Sequence, residues 1–146
     1  MSRDDASDDG GASPDRGSGA ALSGLGVLVV EDEAMVAMLV EDTLEDFGCR
    51  LAATVSSVAA ALAAIARERP GLALLDVNLD GETSYPVAAA LAGAGVPFVF
   101  VTGYGAAGLA PDWRAHPVVQ KPFTRSALRA AMLGALGGVA DGAPER

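Results

Sequence analysis

Residues that could take part in metal and phosphoryl chemistry follow apolar runs at four points of the chain. The first two runs are followed by carboxylates, the third by a hydroxyl and the fourth by an ammonium. These residues are Glu31 and Asp32, Asp76 with Asn78 two positions later, Thr102, and Lys121. Continuous apolar runs are typical of strands buried on both faces of a sheet. Because parallel sheets bind ligands beyond the carboxyl ends of their strands, we expect these groups to meet at one edge.

Such a cluster has a definite chemistry. Carboxylates packed closely repel one another unless a cation balances them. Oxygen donors with no histidine or thiol nearby suit a hard ion such as Mg²⁺, which often shares a phosphate with the protein. An ammonium and a hydroxyl facing that ion can hold phosphoryl oxygens. The set therefore predicts a metal-assisted phosphoryl acceptor with a carboxylate nucleophile.

Each residue also has a simpler interpretation when taken alone. Acids that follow a strand often lie at the positive end of the next helix, which would account for Glu31, Asp32 and Glu33. Asp76 alone could form a turn, Thr102 could be a loop hydroxyl and Lys121 a solvated surface charge. The arrival of all these groups at one predicted edge favours a shared site over separate structural roles.

The elements that must position these residues alternate along the chain. The pattern predicts five strands and up to five helices, hence an α/β, doubly wound parallel sheet with right-handed crossovers and helices on both faces. The predicted strands are 26–30, 50–54, 72–76, 96–101 and 118–120. The predicted helices are 33–47, a segment capped by Ser56 or Ser57 and ending near 69, 85–94, and a last helix capped by Thr124.

The length of 146 residues suits one domain with short tails. We predict a disordered acidic tail over 1–24, a domain over 25–137 and a flexible tail over 138–146. The net charge of −9 disfavours a sequence-independent grip on nucleic acid.

Location is predicted from what the sequence lacks. No apolar run approaches the roughly 20 residues of a membrane span, and the acidic start does not resemble a signal peptide. The single cysteine, Cys49, fits a reducing compartment. We therefore expect a cytoplasmic protein without membrane or direct DNA binding.

Four segments resemble the signature segments of bacterial response-regulator receiver domains: VLVVEDE (27–33), LLDVNLDG (74–81), FVFVTGYG (98–105) and QKPF (120–123). The resemblance covers about residues 25 to 137. It implies a flavodoxin-like sheet with strand order 2-1-3-4-5.

The resemblance also implies a role for each site residue. Asp76 resembles the phosphoacceptor, and Thr102 and Lys121 resemble the switch hydroxyl and its charge partner. Glu31 and Asp32 resemble the acidic pair that places Mg²⁺, with Asp76 and the backbone carbonyl of Asn78 as further ligands. The Lys121–Pro122 bond is commonly cis in this family.

The segment Phe100-Val101-Thr102-Gly103-Tyr104 is similar to the Phe-Ala-Thr-Gly-Tyr motif of a sub-group of single-domain receivers, the FATGUY regulators. Val101 departs from the motif. A second departure is Val118, which stands where most receivers carry a switch aromatic. Tyr104 is a candidate substitute for that aromatic, or simply a loop tyrosine.

The segment after Tyr104 is rich in helix breakers, so we expect the fourth helix of the family to be short, irregular or missing. Two single residues in this region have alternative interpretations. Trp113 could anchor a partner or cover the edge of the sheet, and His116 is expected to be a surface residue.

The resemblance implies a single-domain response regulator that accepts a phosphoryl group from a histidine kinase or histidine phosphotransfer protein. It would signal to a partner protein or act as a phosphate sink, with slow self-dephosphorylation but no enzymatic role. The alternatives are a phosphate-independent receiver-like interaction module and an aspartate-dependent phosphatase or phosphotransferase. The second alternative is disfavoured because Asn78 stands where a second acid would be needed. Direct DNA binding is the weakest alternative, because no basic element follows the last predicted helix.

Overall fold

A computed structural model describes residues 21–145; within it, the side chains of Ala106 and of 138–145 are not described. The main sheet has five parallel strands: β1 (Gly26–Val30), β2 (Arg50–Val55), β3 (Leu72–Asp76), β6 (Phe98–Thr102) and β7 (Val118–Gln120). A small antiparallel hairpin is formed by β4 (Asn78–Leu79) and β5 (Glu82–Thr83). The helices are α1 (Ala34–Asp46), α2 (Val58–Arg67), α3 (Tyr85–Gly93) and α4 (Arg125–Glu145).

The order of the main sheet is β2-β1-β3-β6-β7. Counting only its five strands, this is the predicted order 2-1-3-4-5. The central strands β1, β3 and β6 are buried along their whole length, as their continuous apolar sequences require. Two apolar cores, one containing Phe100 and the other Met132, pack on opposite faces of the sheet. The predicted doubly wound α/β class is therefore confirmed.

Helix boundaries follow from local chemistry. The Ser57 hydroxyl accepts a hydrogen bond from the Ala60 amide at 3.1 Å, and the Thr124 hydroxyl accepts one from Ala127 at 3.0 Å. Both are N-caps of the kind the sequence predicts. Gly48, with φ +84°, follows α1 in the left-handed conformation that glycine adopts without strain.

The ends of the domain differ from the sequence-based boundaries. Residues 1–20 of the predicted tail lie outside the described residues, but Leu22 is buried in the core that contains Met132. The domain therefore begins earlier than residue 25, because burial in this core removes the large apolar side chain of Leu22 from water. At the other end α4 continues to Glu145 through a segment predicted as tail. Glycines such as Gly137 weaken a helix by about 1 kcal/mol relative to alanine but do not forbid one.

The connection between β6 and β7 has no regular helix. It contains two single 3₁₀ turns, Gly105–Gly108 and Pro111–Trp113. The glycines and Pro111 weaken helix formation here, and the predicted irregularity is confirmed. The β4–β5 hairpin is not among the five strands predicted from the sequence. Its tip is Asp80-Gly81, both at positive φ, as a tight hairpin turn requires.

Candidate functional site

The structure brings the predicted polar residues together at the carboxyl edge of the sheet. Asp76 ends the central strand β3, and its side chain is largely buried. The Lys121 Nζ atom lies 3.2 Å from Asp76 Oδ2 and 3.2 Å from Glu31 Oε1. Glu33 Oε1 is 3.7 Å from the same ammonium. Lys121 therefore neutralises part of the negative charge of three carboxylates, those of Glu31, Glu33 and Asp76.

The loop that carries Lys121 positions it over the cluster. Lys121 follows β7, and its backbone amide donates to the Thr102 carbonyl at 2.8 Å. The Lys121–Pro122 peptide bond is cis, as the family resemblance implies. The end of the edge strand is thereby held against the end of β6, and the lysine side chain reaches across to β3 and β1.

Glu31, Asp32 and Asp76 form a possible metal site. Each can offer one carboxylate oxygen such that the three oxygens lie within 4.8 Å of one another, a span that a single cation can bridge. This is a hard-oxygen donor set without sulfur or imidazole, and it fits Mg²⁺. Asn78 lies at the start of the hairpin, and its amide approaches Asp76 Oδ1 at 3.4 Å. The use of its carbonyl as a ligand stays a prediction.

Burial and crowding alter the ionisation of the cluster. Burial raises the pKa of Glu31 to about 7; the Glu33 amide opposes this, Asp76 adds to it, and Lys121 opposes it. Burial by itself would lower the pKa of Lys121, but Asp76 and Glu31 outweigh it and the pKa is raised. Burial is therefore the main cause of the raised pKa of Glu31, and the neighbouring Asp76 carboxylate adds to it although Lys121 lies close by.

Thr102 ends β6 and is buried, and its hydroxyl accepts a hydrogen bond from the Tyr104 amide at 3.3 Å. The ring of Tyr104, by contrast, is 71% exposed. A Cβ atom on Gly108 would lie 2.5 Å from the Tyr104 Cβ, so the turn beneath this ring requires glycine. The role of Tyr104 as a switch aromatic stays a prediction.

Other residues in the β6–β7 region form an aromatic cluster. Trp113 stacks on Tyr85 with ring centroids 5.9 Å apart and covers Phe98 and Phe100. Of the two alternatives for Trp113, the structure supports covering the sheet. His116 was expected at the surface but is half-buried, because its ring stacks on Phe98 at 4.8 Å.

Sequence reasoning missed Tyr85 entirely. Its hydroxyl accepts a hydrogen bond from the Ala110 amide at 2.8 Å, which joins the start of α3 to the irregular segment. Sequence patterns carried no signal for this contact, since the two residues belong to separate elements.

No helix in the described part of the chain is both long enough and apolar enough to cross a bilayer.

A hollow of about 600 Å³ opens beside the cluster. Its lining consists of Glu31 and Asp32, residues of α1 including Met38, the end of β2 and the start of α2. Met35 and Met38, on the first turns of α1, are 83% and 60% exposed. The acidic cluster can therefore be approached from solvent between an apolar helix face and a loop.

Comparison with known proteins agrees with this geometry. The family model described as "Response regulator receiver domain" matches residues 27–133. The receiver domain of the PhyR response regulator from Erythrobacter litoralis is 33% identical, with a TM-score of 0.72, and the match covers 80% of this chain and 93% of that one. SdrG from Sphingomonas melonis is 44% identical, with a TM-score of 0.69 and coverage of 79% and 97%.

A third similar structure shows the fold alone. The signal receiver domain of a modulated diguanylate cyclase from Desulfovibrio desulfuricans is 24% identical, with a TM-score of 0.70 and coverage of 82% and 99%. No curated protein sequence matches the chain significantly. The family match spans most of the chain and includes every residue of the acidic and lysine cluster, so the chain belongs to the response regulator receiver domain family.

Proposed function

We propose that this receiver domain accepts a phosphoryl group on Asp76 from the phosphohistidine of a sensor kinase or phosphotransfer protein. The observation that carries this proposal is the position of the Asp76 carboxylate at the carboxyl edge of the sheet. It lies 3.2 Å from Lys121 and within metal-bridging reach of Glu31 and Asp32. A carboxylate held beside a cation, at the end of a strand and within reach of a metal site, is suited to nucleophilic attack on an incoming phosphoryl group.

The transfer balances without a further reactant. An oxygen of Asp76 attacks phosphorus, the phosphorus–nitrogen bond of the phosphohistidine breaks, and its electron pair returns to the imidazole. Lys121 holds one of the phosphoryl oxygens, and the Thr102 hydroxyl turns from the Tyr104 amide to donate to another. Positioning of the reacting groups and neutralisation of their charge accelerate this transfer.

Mg²⁺ fits this scheme as the second cation. Glu31, Asp32 and Asp76 would hold it, with the Asn78 carbonyl as a further ligand. When bound, it supplies the positive charge that phosphoryl oxygens need among three carboxylates. Lys121 supplies one positive charge beside Glu31, Glu33 and Asp76, so a second cation would bring the charge of the cluster closer to balance.

The partner is proposed to dock on the face of α1 that borders the hollow. Met38 lines the hollow together with Asp32, and Met35 and Leu39 are further exposed large apolar side chains on the same helix. Flexible methionines suit a surface that recognises another helix. A phosphodonor bound there would have its phosphohistidine next to the acidic cluster.

The resemblance to FATGUY regulators supports a finer assignment. Four of the five motif positions are kept between Phe100 and Tyr104, and SdrG, at 44% identity, has a BeF₃-activated conformation. We propose that the chain belongs to this sub-group and that phosphorylation changes its affinity for a partner protein. A phosphate sink is the alternative output, and it would show fast turnover with unchanged partner affinity. We propose that the protein catalyses one reaction, the slow hydrolysis of its own acyl phosphate.

Intact mass after incubation with acetyl phosphate and Mg²⁺ tests the acceptor. The wild type should gain one phosphoryl group, and Asp76→Asn should gain none. Asp80→Asn is the matched control, since it makes the same change at the exposed hairpin tip and should be phosphorylated like the wild type. An adduct on Asp76→Asn would contradict the assignment. A folded wild type that takes phosphate neither from acetyl phosphate nor from a panel of phosphorylated donors would instead favour the phosphate-independent interaction module.

A further inference from the structure

The strongest unexplained feature is the bridge between α3 and the irregular segment that joins β6 to β7. We propose that Tyr85 is a conformational latch: it holds this segment on the body of the domain, and phosphorylation of Asp76 opens it. The inference rests on the proposed function, because it concerns how a phosphoryl group at the acidic cluster would alter a surface elsewhere. The residues of the latch itself, Tyr85, Ala110 and Trp113, have no role in the proposed phosphotransfer chemistry.

Two contacts made by Tyr85 form the latch. Its hydroxyl accepts a hydrogen bond from the Ala110 amide at 2.8 Å. Its ring lies parallel to that of Trp113, with an interplanar angle of 2° and centroids 5.9 Å apart. The edge contact of Tyr85 with Phe100, at 6.1 Å, seats the pair on the main sheet. A stack and a hydrogen bond from one side chain therefore fix both the middle and the end of the segment.

The latch connects the loops that follow the two key strands of the site. Tyr85 opens α3, directly after Ser84, and the Ser84 amide donates to the carbonyl of Val77, the neighbour of Asp76. At its other end the latch holds Ala110, which belongs to the segment that follows Thr102. Tyr85 is therefore linked to the residues that follow both strand ends.

The segment depends on the latch because it has little regular structure of its own. Its two 3₁₀ turns are short, and its main apolar anchor is the buried Leu109. Val118, which is paired with Phe100 in the sheet, offers no ring at the position where most receivers carry one. Trp113 covers Phe100 instead, so the aromatic group that can move with the phosphorylation state lies on the segment itself.

Two hydrogen-bonding features show how the latch would open. The Thr102 hydroxyl accepts from the Tyr104 amide, and this bond is lost when the hydroxyl turns towards a phosphoryl group. The start of the segment is then free to shift. Ser84 Oγ, adjacent to Tyr85, is buried and has no hydrogen-bond partner among the described residues. A buried hydroxyl without a partner destabilises the closed arrangement at this joint.

Tyr85→Phe is the direct test, because it removes the hydroxyl and keeps the ring. Hydrogen exchange at the Ala110 amide, measured by NMR, should become roughly fivefold faster in the unphosphorylated variant, as expected for the loss of one hydrogen bond. Phosphorylation of the wild type should also make hydrogen exchange at the Ala110 amide faster. It should shift the fluorescence emission of Trp113, the chain's single tryptophan. By thermodynamic reciprocity the variant should also bind beryllofluoride with Mg²⁺ more tightly than the wild type.

Arg114→Lys is the matched control. Arg114 Nε donates to the Leu109 carbonyl at 2.9 Å, a single side-chain bond of similar length within the same segment. It does not reach α3, so its loss should leave beryllofluoride affinity at the wild-type value. Equal tightening in Arg114→Lys and Tyr85→Phe would show that any loosening of the segment has this effect and would overturn the latch.

The mass of each sample separates the two levels of inference. If the wild type gains a phosphoryl group while Ala110 exchange and Trp113 emission stay constant, the latch is refuted and the proposed function stands. If no adduct forms and beryllofluoride does not bind, the proposed function fails and the coupling fails with it. An adduct accompanied by faster Ala110 exchange supports both.

Discussion

Replacing Glu31 by glutamine should stabilise the metal-free protein at alkaline pH. Glu31 is buried at the cluster, and burial raises its pKa from 4.5 to about 7. Between these values the folded state binds more protons than the unfolded state, so this group makes stability fall as the pH rises from about 4.5 to 7. The difference between the two pKa values corresponds to at most about 3.5 kcal/mol, since one pKa unit is equivalent to about 1.4 kcal/mol.

Glutamine mimics the protonated carboxyl group. Its side-chain carbonyl can still accept the hydrogen bond that the Glu33 amide donates to Glu31 at 3.0 Å. We therefore expect the variant and the wild type to have similar free energies of unfolding at pH 5. At pH 8 the variant should be more stable by about 2–3 kcal/mol, because it carries no ionised group at this position. The raised pKa of Lys121 does not interfere, since that ammonium stays charged throughout this range.

Urea denaturation in EDTA at pH 5, 6, 7 and 8 gives the required free energies. Glu33→Gln is the matched control: its carboxylate also faces Lys121, at 3.7 Å, but the side chain is 66% exposed. The free energy of unfolding of this variant should depend on pH as that of the wild type does, because Glu31 is unchanged. Parallel curves for the wild type and Glu31→Gln would refute the reasoning, since they would show that Glu31 does not titrate between pH 5 and 8.

Two further variants test the cluster and the adjoining segment. Lys121→Met leaves Asp76 and Glu31 without their cation, so the metal-free protein should lose about 3 kcal/mol at pH 8. Thermal melts should show a larger stabilisation by Mg²⁺ than in the wild type, and equal increments would contradict this account. Gly108→Ala places a methyl group 2.5 Å from the Tyr104 Cβ. It should shift backbone NMR signals around residues 103–109, with a loss of about 1–3 kcal/mol from overpacking, whereas Gly93→Ala, with open space at its Cβ, should do neither.

The fold was predictable because its signals are local and strong. β3 consists of four consecutive apolar residues followed by Asp76, and a short apolar run that begins after Pro70-Gly71 is typical of a buried strand. Leu22 falls in the predicted tail because a single large apolar residue among small and polar ones shows neither the helical nor the strand periodicity. Its burial depends on the core residues it meets, which lie far away in the chain.

The site was predictable in composition but not in its contacts. Glu31, Thr102 and Lys121 each follow a strand, and topology alone brings strand ends together. The pairing of Lys121 with Glu31 and Asp76 at equal distances depends on loop geometry, which no period in the sequence encodes. The bond from the Ala110 amide to Tyr85 was unpredictable for the same reason, since it joins a loop to a helix end.

The exposed thioethers on α1 have a practical consequence for handling the protein. Met35 and Met38 are open to peroxide, which converts a flexible apolar side chain into a polar sulfoxide. Asp76 and Lys121 are untouched by this reaction. Oxidised preparations should therefore take phosphate from acetyl phosphate normally while failing with a protein donor, a defect that methionine sulfoxide reductases would repair. A stock that has aged in air could in this way imitate the loss of a kinase.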